Sequence, residues 1–339
     1  MVLTDKTFII AELSANHNNN FQLAKDTIYA MKESGADAVK FQTYTADSIT
    51  LNVDNKYFGP RDSGIWKGKT LYEIFTEGSM PWEWQAKLLE YANELDLICF
   101  SSPFDFKAVD FLEELHVPMY KIASLEISDI PLISYVASKG KPIILSTGIA
   151  NLNDIELAVN ACRKEGNNDI TLLKCTSAYP TPFEEVNLKV IPNLRETFNV
   201  KVGLSDHTMG STVPLGAVAL GAKVVEKHFI LDRNLGGVDS SFSMEPDEFK
   251  FMVKSIRELE KALGSVSYEL TEKQKDTKIR GRSLFISSKV KKGEVLTKNN
   301  VKSVRPGLGL HPKYFYDVLG KKANRDITAG SPLDWSMIE

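Results

Sequence analysis

Two of the five histidines, His207 and His228, lie in one stretch, KVGLSDHTMGSTVPLGAVALGAKVVEKHFIL, running from Lys201 to Leu231. A β-branched run, Val200 to Leu204, precedes His207. An Ala/Leu segment, Val213 to Leu220, is closed by Gly221, and a second β-rich run, Lys223 to Phe229, holds His228. The pattern predicts strand, helix, strand. Parallel strands joined by a right-handed crossover are usually neighbours about 4.8 Å apart, which puts the two imidazoles side by side at the carboxyl edge of a sheet. There they could share a metal ion. A histidine can equally be a satisfied, half-buried residue. Here, however, alternation places Ser205 on the face of His207 and Glu226 on the face of His228. Polar residues repeated on one face of both strands, at the end where α/β folds bind ligands, point to a metal or substrate site.

Other strand-like runs end in the same way. The first offers Glu12, the second Lys40 and Gln42, the third Ser101 and Ser102, and the fourth Lys121 and Ser124. The fifth offers Ser146 and Thr147, and the sixth Ser177 and Tyr179. A lysine between β-branched neighbours is expensive to desolvate, so Lys40 and Lys121 require negative charge nearby, from a carboxylate or a bound anion. One such lysine could be a structural ion pair or a snorkelling side chain. Two of them converging with several hydroxyls make the inventory that a phosphate or carboxylate needs. Two neutral histidines with open coordination positions would hold a Lewis acid beside it. From the residues alone, the chemistry is a metal-assisted reaction of an anionic substrate such as a phosphorylated acid. No P-loop or dinucleotide-binding glycine pattern follows a strand.

These ends must be positioned by the elements behind them. Strands are predicted at Phe8 to Leu13, Ala38 to Thr43, Ile98 to Phe104, Tyr120 to Ser124, Pro142 to Gly148 and Ile170 to Ser177, before the two that carry the histidines. Helical periodicity fills the gaps: residues 23–31 before Gly35, Trp82 to Leu95, Asp105 to Leu115, and Ile130 to Lys139 before Gly140. A further helix opens on Asn153 and Glu156 in capping-box spacing and ends at Gly166, and two more cover Leu188 to Phe198 and Pro246 to Leu263. The long connection from Tyr44 to Pro81, with Tyr57, Phe58, Trp66 and Tyr72, is expected to be functional. Eight strands alternating with helices over about 265 residues match an α/β fold of the (β/α)8 TIM-barrel type. After residue 268 the composition changes. Residues 269–281 read as a charged linker, and residues 282–339 as a small β-rich domain with strand-like pieces at Ser283 to Ser287 and Gly293 to Leu296.

The composition bounds the partners. With 41 basic and 44 acidic residues in 339 and no basic stripe, neither nucleic acid nor an anionic membrane surface is an expected partner. The three cysteines, Cys99, Cys162 and Cys175, have no CxxC spacing and read as reduced thiols. No signal or membrane-spanning segment is evident, so a cytoplasmic location is expected.

The runs AELSANHN, KFQTYTAD, YKIAS, LSTG, KCTSAYPTP, GLSDH, EKHF and SVRPGLGLHP together resemble the sialic acid synthase family, over nearly the whole chain. That resemblance implies a barrel followed by an antifreeze-like (SAF, β-clip) domain. It implies condensation of phosphoenolpyruvate with an open-chain acetamido sugar to give a nine-carbon 2-keto acid and phosphate. It implies a divalent metal (Mn2+, Mg2+ or Co2+) on His207 and His228, catalysis by these with Glu12, and a phosphoenolpyruvate site of Lys40, Lys121, Ser102, Ser124, Ser146, Ser177 and Ser205. Sugar contacts would come from Asn16, Gln42, Tyr179, Asp239 and Arg305, the last placed over a partner's site in a domain-swapped homodimer. The chain has Ser177 where sialic acid synthases carry Asn, and SANHN where they read closer to GINHNG. With LGLHPKYF, this is nearer the pseudaminic acid branch, whose acceptor is a 2,4-diacetamido-2,4,6-trideoxy sugar. A metal-dependent aldolase or a sugar-phosphate isomerase would use the same barrel, histidines and lysines, and the aromatic connection from Tyr44 to Pro81 with the antifreeze-like tail would suit a carbohydrate-binding protein.

Overall fold

The computed structural model describes residues 6–64 and 66–339. The chain divides after Gly264 into two compact units, the second being Ser265–Glu339. In the first, eight parallel strands close into a barrel in sequential order: β1 (Phe8–Glu12), β2 (Ala38–Thr43), β3 (Ile98–Pro103), β4 (Tyr120–Ile122), β5 (Ile143–Ser146), β6 (Ile170–Lys174), β7 (Lys201–Asp206) and β8 (Val224–His228). The sequence predicts this (β/α)8 topology. The helices are α1 (Phe21–Glu33), α2 (Ala46–Ile49), α3 (Leu71–Gly78), α4 (Trp82–Glu94), α5 (Phe106–Glu114), α6 (Ile130–Ala137), α7 (Leu152–Lys164), α8 (Val190–Phe198), α9 (Thr212–Ala219) and α10 (Pro246–Leu263).

Alternation along the strands builds two different layers. Outward residues such as Ile9, Val39, Cys99 and Val225 pack against Ile28, Leu88, Met252 and Ile256 of the helices. Inward residues Phe8, Ile10, Ala38, Phe100, Met119, Ile144, Leu173 and Val224 fill the lower barrel as an apolar plug. The next inward residue is polar on every strand except β6, where it is Cys175, so the plug is the floor of the site.

Several local expectations are corrected. The capping box of α7 is Asn151 with Asp154, two residues before the Asn153 and Glu156 pair. Asn151 Oδ1 accepts from the N–H groups of both Asn153 and Asp154. The connection from Tyr44 to Pro81 contains α2 and α3, the latter opened by a Thr70–Glu73 capping box. The fourth strand stops at Ile122, and Ser124 opens a 3₁₀ turn, Ser124–Glu126.

In the second unit, α11 (Glu272–Lys278) is capped by Thr271 and Gln274, so the expected linker is largely helical and reaches less far than an extended chain. β9 (Ser283–Ile286) pairs antiparallel with β10 (Val301–Val304). The expected strand at Gly293 to Leu296 is instead a single bridge, Val295 to Lys322. A short helix, α12 (Phe315–Val318), completes a core around Leu284, Ile286, Val301 and Leu333.

Candidate active site at the carboxyl end of the barrel

Strand register sets the site. Glu12 on β1 stands opposite Lys40 on β2 and His228 on β8, and Ser205 on β7 opposite Glu226 on β8. Glu12, Lys40, Lys121 and Glu226 are all at most 5 % exposed, and they interlock. Lys40 is ion-paired with Glu12 Oε2 and donates to Ser102 Oγ at 3.3 Å. The Lys121 ammonium lies 3.6 Å from Glu226 Oε1, which also accepts from Ser205 Oγ at 2.9 Å. Two buried cations thus face two buried carboxylates above the apolar floor.

The electrostatics separate the carboxylates. Burial raises Glu12 to about 7, against the pull of Lys40. Burial acts the same way on Glu226, but Lys121, Lys40 and the Ser205 hydroxyl outweigh it and hold this carboxyl below its usual range. Burial lowers Lys121, reinforced by Lys40. Lys40 is held above its usual range because Glu12 and Glu226 overcome its burial. One carboxyl therefore exchanges a proton near neutrality while the other stays charged.

Hydroxyls gather on the far side. Ser124 Oγ accepts from the Gly148 N–H at 3.1 Å. A side-chain carbon on Gly148 would come within 2.2 Å of Ser177 Oγ and 2.7 Å of Ser124 Oγ, so the absent side chain keeps this cradle open. Among the described residues, the Ser146 and Ser177 hydroxyls are buried without a hydrogen-bond partner. Orphaned hydroxyls beside two lysines are what a bound oxyanion would satisfy.

The histidine rings are 5.3 Å apart, centroid to centroid, as the βαβ reading expects. His207 Nδ1 lies 3.1 Å from the Thr176 carbonyl and 3.9 Å from Cys175 Sγ, which leaves Nε2 directed elsewhere. His228 Nδ1 is buried and has no partner among the described residues, and burial together with His207 and the nearby lysines keeps this ring neutral, well below the usual histidine range. A neutral imidazole with an orphaned nitrogen beside a second imidazole is a donor set suited to a divalent cation. Among the described residues, no three His, Cys, Asp or Glu side chains form such a set, so these rings would leave coordination positions to water and substrate.

The sugar-side residues are mostly together. Gln42 Nε2 donates to Glu12 Oε1 and to Ser14 Oγ, both at 3.0 Å. Asp239 accepts from Ser14 Oγ at 2.5 Å. The Tyr179 ring lies 4.5 Å from the His207 ring and 5.1 Å from Phe242, which borders His228. Trp66, from the long connection, donates Nε1 to the Val238 carbonyl at 3.2 Å and borders Tyr179. A cleft of ≈ 660 Å³ beside it is lined by residues including Ala15, Asn18, Trp66, Lys67 and Val238. Asn16 differs: its Nδ2 is committed to the Phe229 carbonyl and Ser243 Oγ, both at 2.8 Å, and it ties loops of β1 and β8 together. Arg305 is exposed just after β10, in the second unit.

Three participants are not singled out from sequence. Glu226 is visible there only as a polar residue on the His228 face. Glu126, two residues past Ser124, has a buried Oε2 with no partner among the described residues and is raised to about 7 by burial against the pull of Lys121. Cys175 faces inward against His207, where alternation from Leu173 puts it.

Residues 27–268 match the NeuB family. The chain belongs to that family. Residues 281–339 match the SAF domain. This NeuB-family chain is 48% identical over 332 residues to the pseudaminic acid synthase of Helicobacter pylori (strain ATCC 700392 / 26695), covering 98% of this chain and 97% of the relative. It is 38% identical over 337 residues to the N,N'-diacetyllegionaminic acid synthase of Legionella pneumophila, covering 98% and 94%. Among solved structures, the N-acetylneuraminic acid synthetase of Leptospira borgpetersenii in complex with citrate aligns with a TM-score of 0.72 at 31% identity, covering 80% of this chain and 90% of that one. Among the described residues no helix is long and apolar enough to cross a membrane.

Proposed function

We propose that this chain condenses phosphoenolpyruvate with 2,4-diacetamido-2,4,6-trideoxy-L-altrose, giving a nonulosonic acid and phosphate, as a pseudaminic acid synthase does. The observation that carries this reading is the layer in which Lys40 and Lys121, with the hydroxyls of Ser102, Ser124, Ser146, Ser177 and Ser205, adjoin the His207 and His228 pair. Such a layer suits an acid carrying both phosphate and carboxylate, held next to an aldehyde. Identity near half over the full length to a pseudaminic acid synthase supports the choice of acceptor.

In this reading, His207 and His228 would hold Mn2+, Mg2+ or Co2+, which polarises the aldehyde carbonyl when bound. Lys40 and Lys121 orient phosphoenolpyruvate so that its C3 meets the aldehyde carbon. The new bond forms there, water adds at C2, and phosphate leaves with its bridging oxygen by C–O cleavage. Glu12, with a pKa near 7, carries the proton beside these carbons. Gln42, Tyr179 and Asp239 line the acceptor, while Arg305 reaches it from the partner of a domain-swapped homodimer. The use of phosphoenolpyruvate supports a cytoplasmic location. The test is phosphate release from phosphoenolpyruvate with the 2,4-diacetamido altrose sugar, its legionaminic counterpart and N-acetylmannosamine. Release with the altrose sugar only is expected. Preference for a manno-configured sugar would make the chain a legionaminic or sialic acid synthase. Turnover of a sugar without phosphoenolpyruvate would make it an aldolase.

A further inference from the structure

Ser14 follows β1 with φ +48°, a left-handed conformation that a residue with a side chain adopts only at a cost. It is buried, and no helix cap or tight turn of its own uses its hydroxyl. That hydroxyl instead joins two residues far apart in sequence. It donates to Asp239 Oδ2 at 2.5 Å and accepts from Gln42 Nε2 at 3.0 Å.

The consequence is a fixed polarity. Gln42 Nε2 has two hydrogens, and both are taken, one by Ser14 Oγ and one by Glu12 Oε1. The Ser14 hydroxyl spends its one hydrogen on Asp239 and can only accept from the amide, so the amide is held against flipping and its carbonyl Oε1 faces away from Ser14. Asp239 Oδ2 is likewise occupied, by the Ser14 hydroxyl and by the Ala15 N–H at 3.4 Å. Gln42 Oε1 and Asp239 Oδ1 receive no hydrogen bond from the described residues. The chain neighbours of Ser14 and Asp239, Ala15 and Val238, line the cleft beside Trp66.

We infer that Ser14 is a positioning and specificity-determining residue: it locks Gln42 and Asp239 as a pair of hydrogen-bond acceptors that reads two donor groups, an amide N–H and a hydroxyl, on the acceptor sugar. This rests on the acceptor subsite of the proposed function. A site that aligns buried acceptors with substrate donors rejects analogues lacking a donor far more strongly than an apolar pocket does. Without the Ser14 hydroxyl the Gln42 amide keeps only its bond to Glu12, and Asp239 keeps only the longer bond from the Ala15 N–H, so the two are no longer held as a pair.

The test uses Ser14→Gly and Ser14→Ala in the full chain. Glycine removes the hydroxyl and relieves the backbone, whereas alanine removes the hydroxyl and keeps the strain. Both variants should raise the Michaelis constant for the diacetamido sugar about tenfold, the effect of one well-placed hydrogen bond. The constant for phosphoenolpyruvate should move less than twofold. Preference for the diacetamido sugar over an analogue that lacks its 4-acetamido donor should fall by a similar factor, while the melting temperature of Ser14→Gly stays at or above that of the parent. Unchanged acceptor preference in both variants, with an active parent, overturns the inference and leaves the function standing. Loss confined to Ser14→Ala with a lowered melting temperature also overturns it, since the role would then be structural. A parent that releases no phosphate with any of the sugars overturns the functional reading, and this inference with it.

Discussion

Replacing Lys121 by methionine tests the anion site on two independent scales. The side chain is 2 % exposed, and its ammonium sits 3.6 Å from Glu226 Oε1, so methionine fills similar volume but removes one of two buried cations. A lost charge-assisted contact to phosphate or carboxylate is worth about 1.5–3 kcal/mol, which raises the Michaelis constant for phosphoenolpyruvate about 10- to 150-fold. The sugar's constant should change little. The fold responds too, because Glu226 loses its strongest compensating charge and keeps Lys40, the Ser205 hydroxyl and His207. Orphaning a buried carboxylate costs about 3–5 kcal/mol, and partial compensation by Lys40 points to the lower end. At about 2–4 °C per kcal/mol for a unit of this size, the melting temperature should fall by about 6–12 °C. Adding Glu226→Gln restores the charge balance, so the double variant should regain most of that loss without regaining affinity for phosphoenolpyruvate. Steady-state kinetics in both substrates and thermal melting measure all four quantities. A phosphoenolpyruvate constant within twofold of the parent, or an effect confined to the sugar, would refute the placement of the anion.

Further outcomes follow from the same geometry. His207→Ala and His228→Ala should each lose turnover and bound metal together, with the barrel's circular dichroism retained; full activity with stoichiometric metal in either would remove them as ligands. Gly148→Ala pushes a carbon into the space of Ser177 Oγ and Ser124 Oγ, so phosphoenolpyruvate binding by calorimetry should weaken at least tenfold. Glu12 binds its proton more tightly folded, at about 7, than unfolded, at about 4.5. Its contribution to stability is therefore full below pH 4.5 and lost as pH rises through 7, a decline that should flatten in Glu12→Gln when melting is followed against pH. If the second unit is exchanged between chains as proposed, mixing Arg305→Ala with His207→Ala chains should restore one complete site in about half the exchanged dimers, whereas no recovery would mean that each chain completes its own site.

Much of this arrangement is legible from alternation alone. Once Lys40 and Gln42, or Glu226 and His228, are assigned to strands, period two puts each pair on one face, and eight βα cycles close the barrel that turns those faces inward. What alternation does not convey is distance across the barrel. β4 and β8 are not neighbours, so no local pattern announces that Lys121 answers Glu226. Ser14 and Asp239 are 225 residues apart, and only the closed fold makes them partners. Competing signals explain the local misses. Asn151 and Asn153 are equally good caps by type, and the backbone geometry selects the former. Residues 272–278 are polar all round, and a capping box still winds them into a helix without a buried face.

Directly behind the histidines, Lys227 on β8 is ion-paired with Asp206 on β7 at 2.6 Å, and both are buried on the outward face. Asp206 also accepts from the N–H and the hydroxyl of Thr208, so the loop leaving β7 is fastened at its first residues. A slip of one residue between β7 and β8 would turn every side chain of one strand to the opposite face. Lys227 would then enter the mouth, Glu226 and His228 would be driven among the apolar side chains of the helices, and both ion pairs would be severed at once. Misregistered barrels are thereby penalised on both faces of the same strand. Insertions of even one residue between Gly203 and His207, or between Val224 and His228, should accordingly be lethal to folding, whereas the connection from Tyr44 to Pro81 remains the place where this chain can gain or lose length.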